Sequence, residues 1–190
     1  MRLEAIVLAA GAGTRFGGGK LLAVCRGRPL LDHALDAALA APVDRVSVVV
    51  RPGDTAVADL VDARAAPRLR MLVAPHAAEG LGASLRHGAG ALDPASDGVL
   101  VFLGDMPDVP HDLAAALTAR LAAGAEIVAP VHAGRRGHPV LFARVCFEGL
   151  AALSGDRGAQ GLMTARTLAL VETDAPGVLF DVDRREDLPG

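Results

Sequence analysis

The sequence predicts a single α/β domain with a doubly wound, mostly parallel sheet and helices on both of its faces. Strand-like and helical patterns alternate along the first two thirds of the 190-residue chain, a length that suits one domain. Several strand-like runs, such as "AIVLAA" (5–10), are almost continuously apolar, as strands buried on both faces of a parallel sheet are. Because parallel strands need right-handed crossover connections, this alternation favours a doubly wound sheet.

The elements follow from apolar spacing and from residues that begin or end helices. The predicted strands cover 5–10, 45–50, 69–74, 98–105 and 125–130, and the predicted helices cover 29–41, 54–66, 82–92 and 111–124. Pro29 suits a first helical turn, Asp54 is a candidate N-cap, and Gly124 ends the last of these helices. Beyond residue 130 we expect an extended run over 134–145, helical segments on both sides of 154–160 and a final strand over 177–183.

The composition excludes several classes of function. Five Phe, no Trp, no Tyr and a net charge of −3 leave neither the aromatic platform nor the basic surface that nucleic-acid binding needs. No run approaches the roughly 20 apolar residues of a membrane span, and Glu4 interrupts the short apolar run at the start, which is unlike a secretory signal. Cys25 and Cys146 are too few and too far apart for a disulfide framework. We therefore expect a cytoplasmic protein with reduced cysteines and no nucleic-acid or membrane partner.

A glycine-rich stretch, "LAAGAGTRFGGGK" (8–20), directly follows the first predicted strand. In open α/β sheets, ligands bind beyond the carboxyl ends of the strands, so this loop is in a binding position. The dinucleotide fingerprint fails at Phe16, and the Walker A pattern fails at positions 14 and 21, which are Thr and Leu. Free backbone N–H groups, together with Arg15 and Lys20, are nevertheless suited to phosphate oxygens. The alternative is a surface turn with solvated charges.

Carboxylates at two places in the chain are candidates to face this loop. Asp105 follows the apolar run "VLVFLG", at the sheet edge where Mg²⁺ uses one or two carboxylates together with phosphate oxygens. A helix cap or turn residue is the alternative for Asp105, and it is our interpretation of Asp108. Asp181 and Asp183 lie two residues apart, on one face of the predicted final strand.

These stretches carry a family resemblance. "LAAGAGTRFGGGK", "GDMP", "GHP" and "FDVDRREDL" resemble motifs of the nucleotidyltransferases, which move a nucleoside monophosphate from an NTP to an acceptor. Within that superfamily the chain resembles the MobA-like group from Val7 to Leu188, and most of all the molybdenum cofactor cytidylyltransferases. The resemblance implies a Rossmann-like nucleotidyltransferase fold, with residues 1–130 as the nucleotide-binding half and residues 131–190 as the acceptor-binding part.

The resemblance also implies roles for the glycine loop and the carboxylates. Catalysis would depend on Arg15, Lys20 and Asp105, since these charges would neutralise the phosphates and the leaving pyrophosphate. Mg²⁺ or Mn²⁺ would be held by Asp105 together with Asp181, for which Asp183 is the alternative. The nucleotide would be bound along the loop and at the following base segment by Leu8, Ala9, Ala10, Gly11, Gly13, Arg15, Lys20, Gly80 and Ser84.

Two further segments resemble the base and acceptor loops of the family. In "PHAAEGLGASLRHG" (75–88), Gly80 and Ser84 would bind the base, and an ordinary β–α connection capped by Ser84 is the alternative. His138 in "GRRGHPVLF", and Asp156 with Arg157 in "SGDRGAQGLM", would bind the acceptor, although an isolated His is more often a packed residue. No Ser-His-Asp or Cys-His set accompanies them, so we expect no covalent nucleophile.

The activity that the resemblance implies is transfer of CMP from CTP to a phosphorylated acceptor, molybdenum-loaded molybdopterin, with release of pyrophosphate. CTP is favoured over GTP because the "LAAG" form of the first motif goes with cytidine. One alternative is a nucleotidyltransferase that uses GTP or another phosphorylated acceptor. Another is a nucleotide-binding carrier or chaperone that hands a cofactor to a molybdoenzyme. The partner of the enzyme would be a molybdenum hydroxylase apoenzyme.

Overall fold

The structure, a computed structural model, describes residues 1–156 and 158–189. Its strands are β1 (Leu3–Ala9), β2 (Val24–Cys25), β3 (Arg28–Pro29), β4 (Arg45–Val50), β5 (Leu69–Val73), β6 (Gly98–Leu103), β7 (Ile127–His132), β8 (Arg135–Arg136), β9 (Val140–Ala143) and β10 (Leu168–Glu172). Its helices are α1 (Leu30–Ala40), α2 (Thr55–Ala63), α3 (Leu81–Gly90), α4 (Leu113–Ala122), α5 (Phe147–Ala151) and α6 (Gln160–Ala165).

The main sheet has the strand order β10-β7-β9-β6-β1-β4-β5, with β8 paired to β7. The pairs β1–β4, β1–β6, β4–β5 and β7–β10 are parallel, whereas β9 runs antiparallel to both β6 and β7. The predicted mostly parallel, doubly wound α/β fold is therefore confirmed. Because β9 is reversed, its beginning lies at the edge where β1, β4, β5 and β6 end.

Two hydrophobic cores cover the two faces of this sheet. All seven residues of β1 are buried, since the strand lies between β4 and β6 in the centre of the sheet. On one face, Leu35 of α1 and Leu117 of α4 pack into one core, and on the other face Leu85 of α3 and Leu150 of α5 pack into the second. Each fully buried aliphatic side chain of this kind stabilises the fold by about 1.5–3 kcal/mol.

Local signals placed several helix ends correctly. The Asp54 carboxylate accepts a hydrogen bond from the Val57 backbone N–H at 3.4 Å, which confirms the predicted N-cap of α2. Pro29 immediately precedes α1. α4 ends at Ala122, and Gly124 then adopts a φ of +98°, a conformation that glycine takes at little cost.

The predicted final strand over 177–183 is wrong. Residues Pro176–Leu179 form a 3₁₀ turn, and the chain then follows the loop after β6, where the Val182 N–H donates to the Asp105 carbonyl at 3.0 Å. Gly177 approaches this loop so closely that a Cβ there would lie 2.0 Å from the Asp108 carbonyl oxygen. The last strand of the sheet is β10 instead, a partly exposed edge strand that the sequence analysis did not predict.

Both cysteines lie inside the protein as free thiols. Burial raises the pKa of Cys25 and of Cys146, which keeps both in the unreactive thiol form. No helix within the described part of the chain is both long enough and apolar enough to cross a bilayer.

Candidate active site

The glycine loop (residues 10–20) leaves the carboxyl end of β1 and folds into two short 3₁₀ turns, Thr14–Phe16 and Lys20–Leu22. Gly13, Gly17, Gly18 and Gly19 all have positive φ values, so the glycines permit backbone conformations that other residues rarely adopt. At Gly13 there is also little room, since a Cβ would lie 3.1 Å from Cβ of Lys20. The glycines thus allow a tight loop at the sheet edge.

Phe16 anchors this loop to the C-terminal segment. Its ring is buried with Cys25, Leu30 and Val182 in a small core of their own. The guanidinium of Arg185 lies 4.8 Å from the centroid of the Phe16 ring, in cation–π contact. The C-terminal segment thus contacts the glycine loop through Val182 and Arg185.

The cations of the loop face the carboxylates. Lys20 Nζ lies 2.5 Å from Asp105 Oδ2 and 3.8 Å from Asp183 Oδ1, and only 12% of the Lys20 side chain is exposed. Arg15 Nη1 donates to Asp183 Oδ2 at 2.9 Å, although its side chain is far more exposed. Residues that are distant in the sequence therefore form one cluster of charges at the carboxyl edge of β1 and β6.

Asp181 adds a third carboxylate to this cluster. Asp181 is exposed as a residue, but partial burial of its carboxyl raises its pKa. The negative charges of Asp105 and Asp183 raise this pKa further, while Lys20 acts in the opposite direction. Asp181 and Asp183 do not share the face of a strand, because this segment is not part of a strand. A raised carboxyl pKa means that the folded protein disfavours the ionised form of Asp181 relative to the unfolded chain.

Replacing Asp181 by asparagine should therefore stabilise the metal-free protein at neutral pH. The Asp181 carboxyl ionises at about pH 4 in the unfolded chain and only at higher pH in the folded one. The folded wild-type protein therefore loses stability relative to the unfolded chain as the pH rises through that interval. We expect Asp181→Asn to melt above wild type at neutral pH, in buffer with a chelator, and the difference to vanish as the pH falls toward 4. The exposed Asp174→Asn serves as a control for the loss of one negative charge. A lower melting temperature for Asp181→Asn at neutral pH would contradict the expectation.

The donor set fits a divalent cation of the Mg²⁺ type. Asp105, Asp181 and Asp183 supply carboxylate oxygens, the hard ligands that Mg²⁺ and Mn²⁺ prefer. Because the negative charges of Asp105 and Asp183 raise the pKa of Asp181, a positive charge among the three would stabilise their ionised forms. Lys20 and Arg15 supply that charge in the structure. Over residues 1–156 and 158–189, no three Asp, Glu, His or Cys side chains are already gathered as a metal centre.

A cavity of about 670 Å³ opens beside the glycine loop, and we call it the glycine-loop cavity. Most of the side chains predicted to bind the nucleotide or the metal line it: Leu8, Ala9, Ala10, Gly11, Lys20, Gly80, Ser84 and Asp105. Four of the predicted residues do not line it: Gly13, Arg15, Asp181 and Asp183. Gly13 packs closely against Lys20, and Arg15 extends toward Asp183. Ser84 lies within the first turn of α3, is 4% exposed, and its hydroxyl donates to the Gly80 carbonyl at 3.4 Å, so it is not a helix cap.

A second cavity, of about 620 Å³, lies against the hairpin of β7 and β8, and we call it the hairpin cavity. Apolar side chains form much of its wall: Leu85, Val101, Ala129, Val140, Phe142 and Met163. The exposed Arg135 and Arg136, together with His138 and Asp156, add polar groups. His138 and Asp156 were predicted to meet an acceptor, and both line this cavity; Arg157 lies outside the described residues.

The two cavities share a wall. Leu8, Leu81, Leu103 and Asp156 line both of them. Gly80 has a φ of +120°, and a Cβ there would lie 1.9 Å from Asp156 Oδ1, so only glycine fits beneath this carboxylate. The Gly82 N–H donates to the Gly155 carbonyl at 2.8 Å, which ties the segment around Asp156 to the start of α3. A ligand in one cavity would therefore lie directly beside a ligand in the other.

His138 is held in place by its backbone and has a neutral ring. Its N–H donates to the Val178 carbonyl at 2.9 Å, and a Cβ on the preceding Gly137 would lie 2.2 Å from the same oxygen. Burial lowers the pKa of His138, against the opposite effects of the Val101 backbone and the Asp105 charge. The ring Nδ1 is buried and has no hydrogen-bond partner within the described part of the chain.

Three arginines at the cavities were not among the predicted site residues. Arg51 lines the glycine-loop cavity, directly after β4, and donates to Asp54 Oδ2 at 3.1 Å. The rule that ligands bind beyond the carboxyl ends of strands, applied to the run at 45–50, would have found it. Arg135 and Arg136 form β8 in the charged turn before His138, and their place on the hairpin cavity depends on the antiparallel pairing of β8 with β7.

A glycine loop at the carboxyl edge of a doubly wound sheet, facing carboxylates, is typical of α/β proteins that bind phosphorylated ligands. The comparison with known families makes this specific. Residues 5–171 match the family described as the MobA-like NTP transferase domain, and the chain belongs to that family.

Relatives with known names or structures agree with this membership. The chain is 37% identical over 133 residues to a 2-C-methyl-D-erythritol 4-phosphate cytidylyltransferase of Streptomyces avermitilis, and the match covers 68% of this chain and 53% of that protein. The chain thus spans about half the length of that curated relative. The structure of a homologue of Mycobacterium tuberculosis Rv0371c, from Mycobacterium sp. strain JC1, superimposes with a TM-score of 0.82 at 30% identity, over 98% of this chain and 94% of that one. Rv0371c of M. tuberculosis itself, in complex with manganese, superimposes with a TM-score of 0.78 at 27% identity, over 98% and 96%.

Proposed function

We propose that this NTP transferase moves CMP from CTP to a phosphorylated acceptor, molybdenum-loaded molybdopterin, and releases pyrophosphate. The observation that carries the proposal is the wall that the two cavities share, together with the Lys20–Asp105 pair on the glycine-loop cavity. The nucleotide would occupy the glycine-loop cavity and the acceptor would occupy the hairpin cavity. Their reacting groups would meet at the shared wall, which is the arrangement that a direct transfer between two bound ligands needs.

The reaction needs no covalent intermediate on the protein. An oxygen of the acceptor phosphate would attack the α-phosphorus of CTP, forming a new phosphorus–oxygen bond while the bond to the β-phosphate breaks and pyrophosphate leaves. A phosphate oxygen is already deprotonated at neutral pH, so no general base is required. The loop N–H groups, Arg15 and Lys20 would hold the triphosphate and stabilise the charge that develops on the leaving group.

The carboxylates would hold the divalent cation. Asp105, with Asp181 or Asp183, is suited to Mg²⁺ or Mn²⁺, and the manganese complex of the related Rv0371c supports a role for such an ion. When bound, the ion supplies neutralisation of the negative charge on the phosphates. Before the ion binds, Asp105 would keep Lys20 beside the glycine loop through their ion pair.

Two observations support the choice of substrates. The "LAAG" form of the first motif supports cytidine, and the similarity to a cytidylyltransferase of Streptomyces avermitilis agrees with it. The hairpin cavity combines an apolar wall with two exposed arginines, which suits a flat heterocycle that carries anionic groups better than a small polyol phosphate. The alternative acceptor is a polyol phosphate such as 2-C-methyl-D-erythritol 4-phosphate, which the name of the Streptomyces relative favours.

Pyrophosphate release in a matrix of nucleotides and acceptors tests this proposal. CTP, GTP, ATP and UTP are each combined with molybdenum-loaded molybdopterin or with 2-C-methyl-D-erythritol 4-phosphate, in the presence of Mg²⁺ or Mn²⁺. We expect release only with CTP and molybdopterin. Release with GTP, or with the polyol phosphate instead, would replace the substrate assignment, and release with no pair would contradict the transfer reaction for these acceptors.

Replacing Arg15 by alanine should weaken the binding of CTP. The side chain would lose a charge-assisted contact with the phosphates, and such contacts are worth enough to change the dissociation constant by about tenfold. Isothermal titration with CTP and Mg²⁺ measures the effect, and Arg120→Ala on the exposed face of α4 is the matched control. An unchanged dissociation constant for Arg15→Ala would remove this residue from the nucleotide site.

A further inference from the structure

Lys20 occupies an unusual place in both the sequence and the structure. It is the only lysine of the chain, and the other 18 of the 19 Lys and Arg residues are arginines. Its ammonium lies 2.5 Å from Asp105 and 3.8 Å from Asp183, the carboxylates that fit a divalent cation. A lysine ammonium is a compact point charge, unlike the planar guanidinium of arginine. It can therefore occupy a position between carboxylates that a metal ion could also occupy.

The Lys20 ammonium already provides the counter-charge of Asp105. The Lys20 side chain is 12% exposed and that of Asp105 is 23% exposed, so the pair is only partly screened by solvent. Arg15 occupies the other oxygen of Asp183. A divalent cation bound to Asp105 would therefore lie within a few ångströms of an ammonium and would be repelled by it.

We propose that Lys20 and the divalent cation compete for Asp105, so that the protein binds the metal weakly until the nucleotide is present. The inference rests on the proposed function, because it takes the triphosphate as the second partner of Lys20. With the nucleotide bound, phosphate oxygens provide Lys20 with another counter-charge, and Asp105 becomes available. The enzyme then takes up its metal together with the nucleotide, and free divalent cations do not occupy the site in advance.

Removing the ammonium tests this competition directly. Mn²⁺ binding is followed by electron paramagnetic resonance of the free ion, with wild type and Lys20→Met, in the absence and in the presence of CTP. We expect Lys20→Met to bind Mn²⁺ about tenfold more tightly than wild type without nucleotide, as loss of a repelling charge at this distance implies. With CTP bound, the gain should disappear.

Three controls separate competition from other effects. Arg26→Gln removes a positive charge from a neighbouring ion pair, with Asp108, and should leave Mn²⁺ binding unchanged. The double variant Lys20→Met with Asp105→Asn should lose the gain, which assigns the site to Asp105. Lys20→Gln, a second neutral replacement, should reproduce Lys20→Met if both variants keep the wild-type circular dichroism spectrum.

The proposal is overturned if nucleotide-free Lys20→Met and Lys20→Gln bind Mn²⁺ no more tightly than wild type. The transfer reaction of the wild-type enzyme is measured separately, so failure of the competition can be distinguished from failure of the proposed function. Activity without a gain in Mn²⁺ affinity rejects the competition and retains the function. A gain without transfer activity supports the competition and rejects the substrates proposed above.

Discussion

Asp105→Asn should abolish nucleotidyl transfer while leaving the fold intact. The substitution keeps the size of the side chain but removes the charge that holds Lys20 at 2.5 Å and that suits a divalent cation. Loss of such charge stabilisation corresponds to about 4 kcal/mol of the activation barrier, or roughly a thousandfold in rate. The backbone is unaffected, because the Asp105 carbonyl and not its carboxylate receives the Val182 N–H.

Initial rates of pyrophosphate release and melting temperatures together measure this prediction. Asp108→Asn is the matched control, since this carboxylate lies three residues away and pairs with Arg26 outside both cavities. The control should retain activity within a few fold of wild type. An Asp105→Asn variant that fails to fold would instead support a purely structural role as a turn residue, and an active variant would remove the carboxylate from catalysis.

Gly80→Ala should damage both substrate sites at once. The new Cβ would lie 1.9 Å from Asp156 Oδ1, 2.8 Å from Asp156 Cγ and 3.0 Å from Asp156 Cα, at a φ of +120° that alanine rarely adopts. The segment around Asp156 must then move, and with it part of the wall that the two cavities share. We expect the KM values for both substrates to rise and a loss of stability of about 1–3 kcal/mol from the backbone strain.

A glycine at the opposite end of α3 provides the control for Gly80→Ala. Gly90 ends α3 at an ordinary φ, and a Cβ there would meet no atom within 4 Å. Gly90→Ala should therefore leave both KM values unchanged, and its better helix propensity favours a small gain in stability. If Gly80→Ala changed the KM of neither substrate, the shared wall would have no part in binding.

The parts of the fold that depend on local chemistry could be predicted from the sequence. The strand Arg45–Val50 was predicted with both of its ends, because a β-branched run between polar turns has few other structures available. The Asp54 cap was predicted because a carboxylate immediately before an apolar helix satisfies its first free N–H groups. The position of the glycine loop followed in the same way, from the edge rule for parallel sheets.

The errors arose where pairing with a distant partner decides the structure. The apolar residues near Val178 bury themselves against the loop after β6, so the run at 177–183 needs no strand partner. The edge strand Leu168–Glu172 is partly exposed, and its local pattern was not distinct from that of the preceding helix. The reversed direction of β9, which places His138 at the site edge, is likewise a property of the whole sheet.

In the candidate site too, some features could be predicted from the local sequence and others depend on contacts between distant segments. The charged residues of the glycine loop and Asp105 could be selected from their motifs and from the strands that precede them. That Asp156 would lie over Gly80, and would line both cavities, depends on a contact between segments far apart in the sequence. The role of Arg185 over Phe16 could not be foreseen either, since the C-terminal segment reaches the loop only in the folded protein.

The measurement that tests the transfer reaction most directly follows the phosphorus atoms of CTP. The enzyme is incubated with Mg²⁺ and molybdenum-loaded molybdopterin, and with CTP labelled at either the α- or the γ-phosphorus. We predict that the α-label appears in the acceptor product and that the γ-label appears only in pyrophosphate. Transfer of the γ-label to the acceptor, or retention of the α-label in CTP or free CMP with no labelled product, would contradict nucleotidyl transfer to this acceptor.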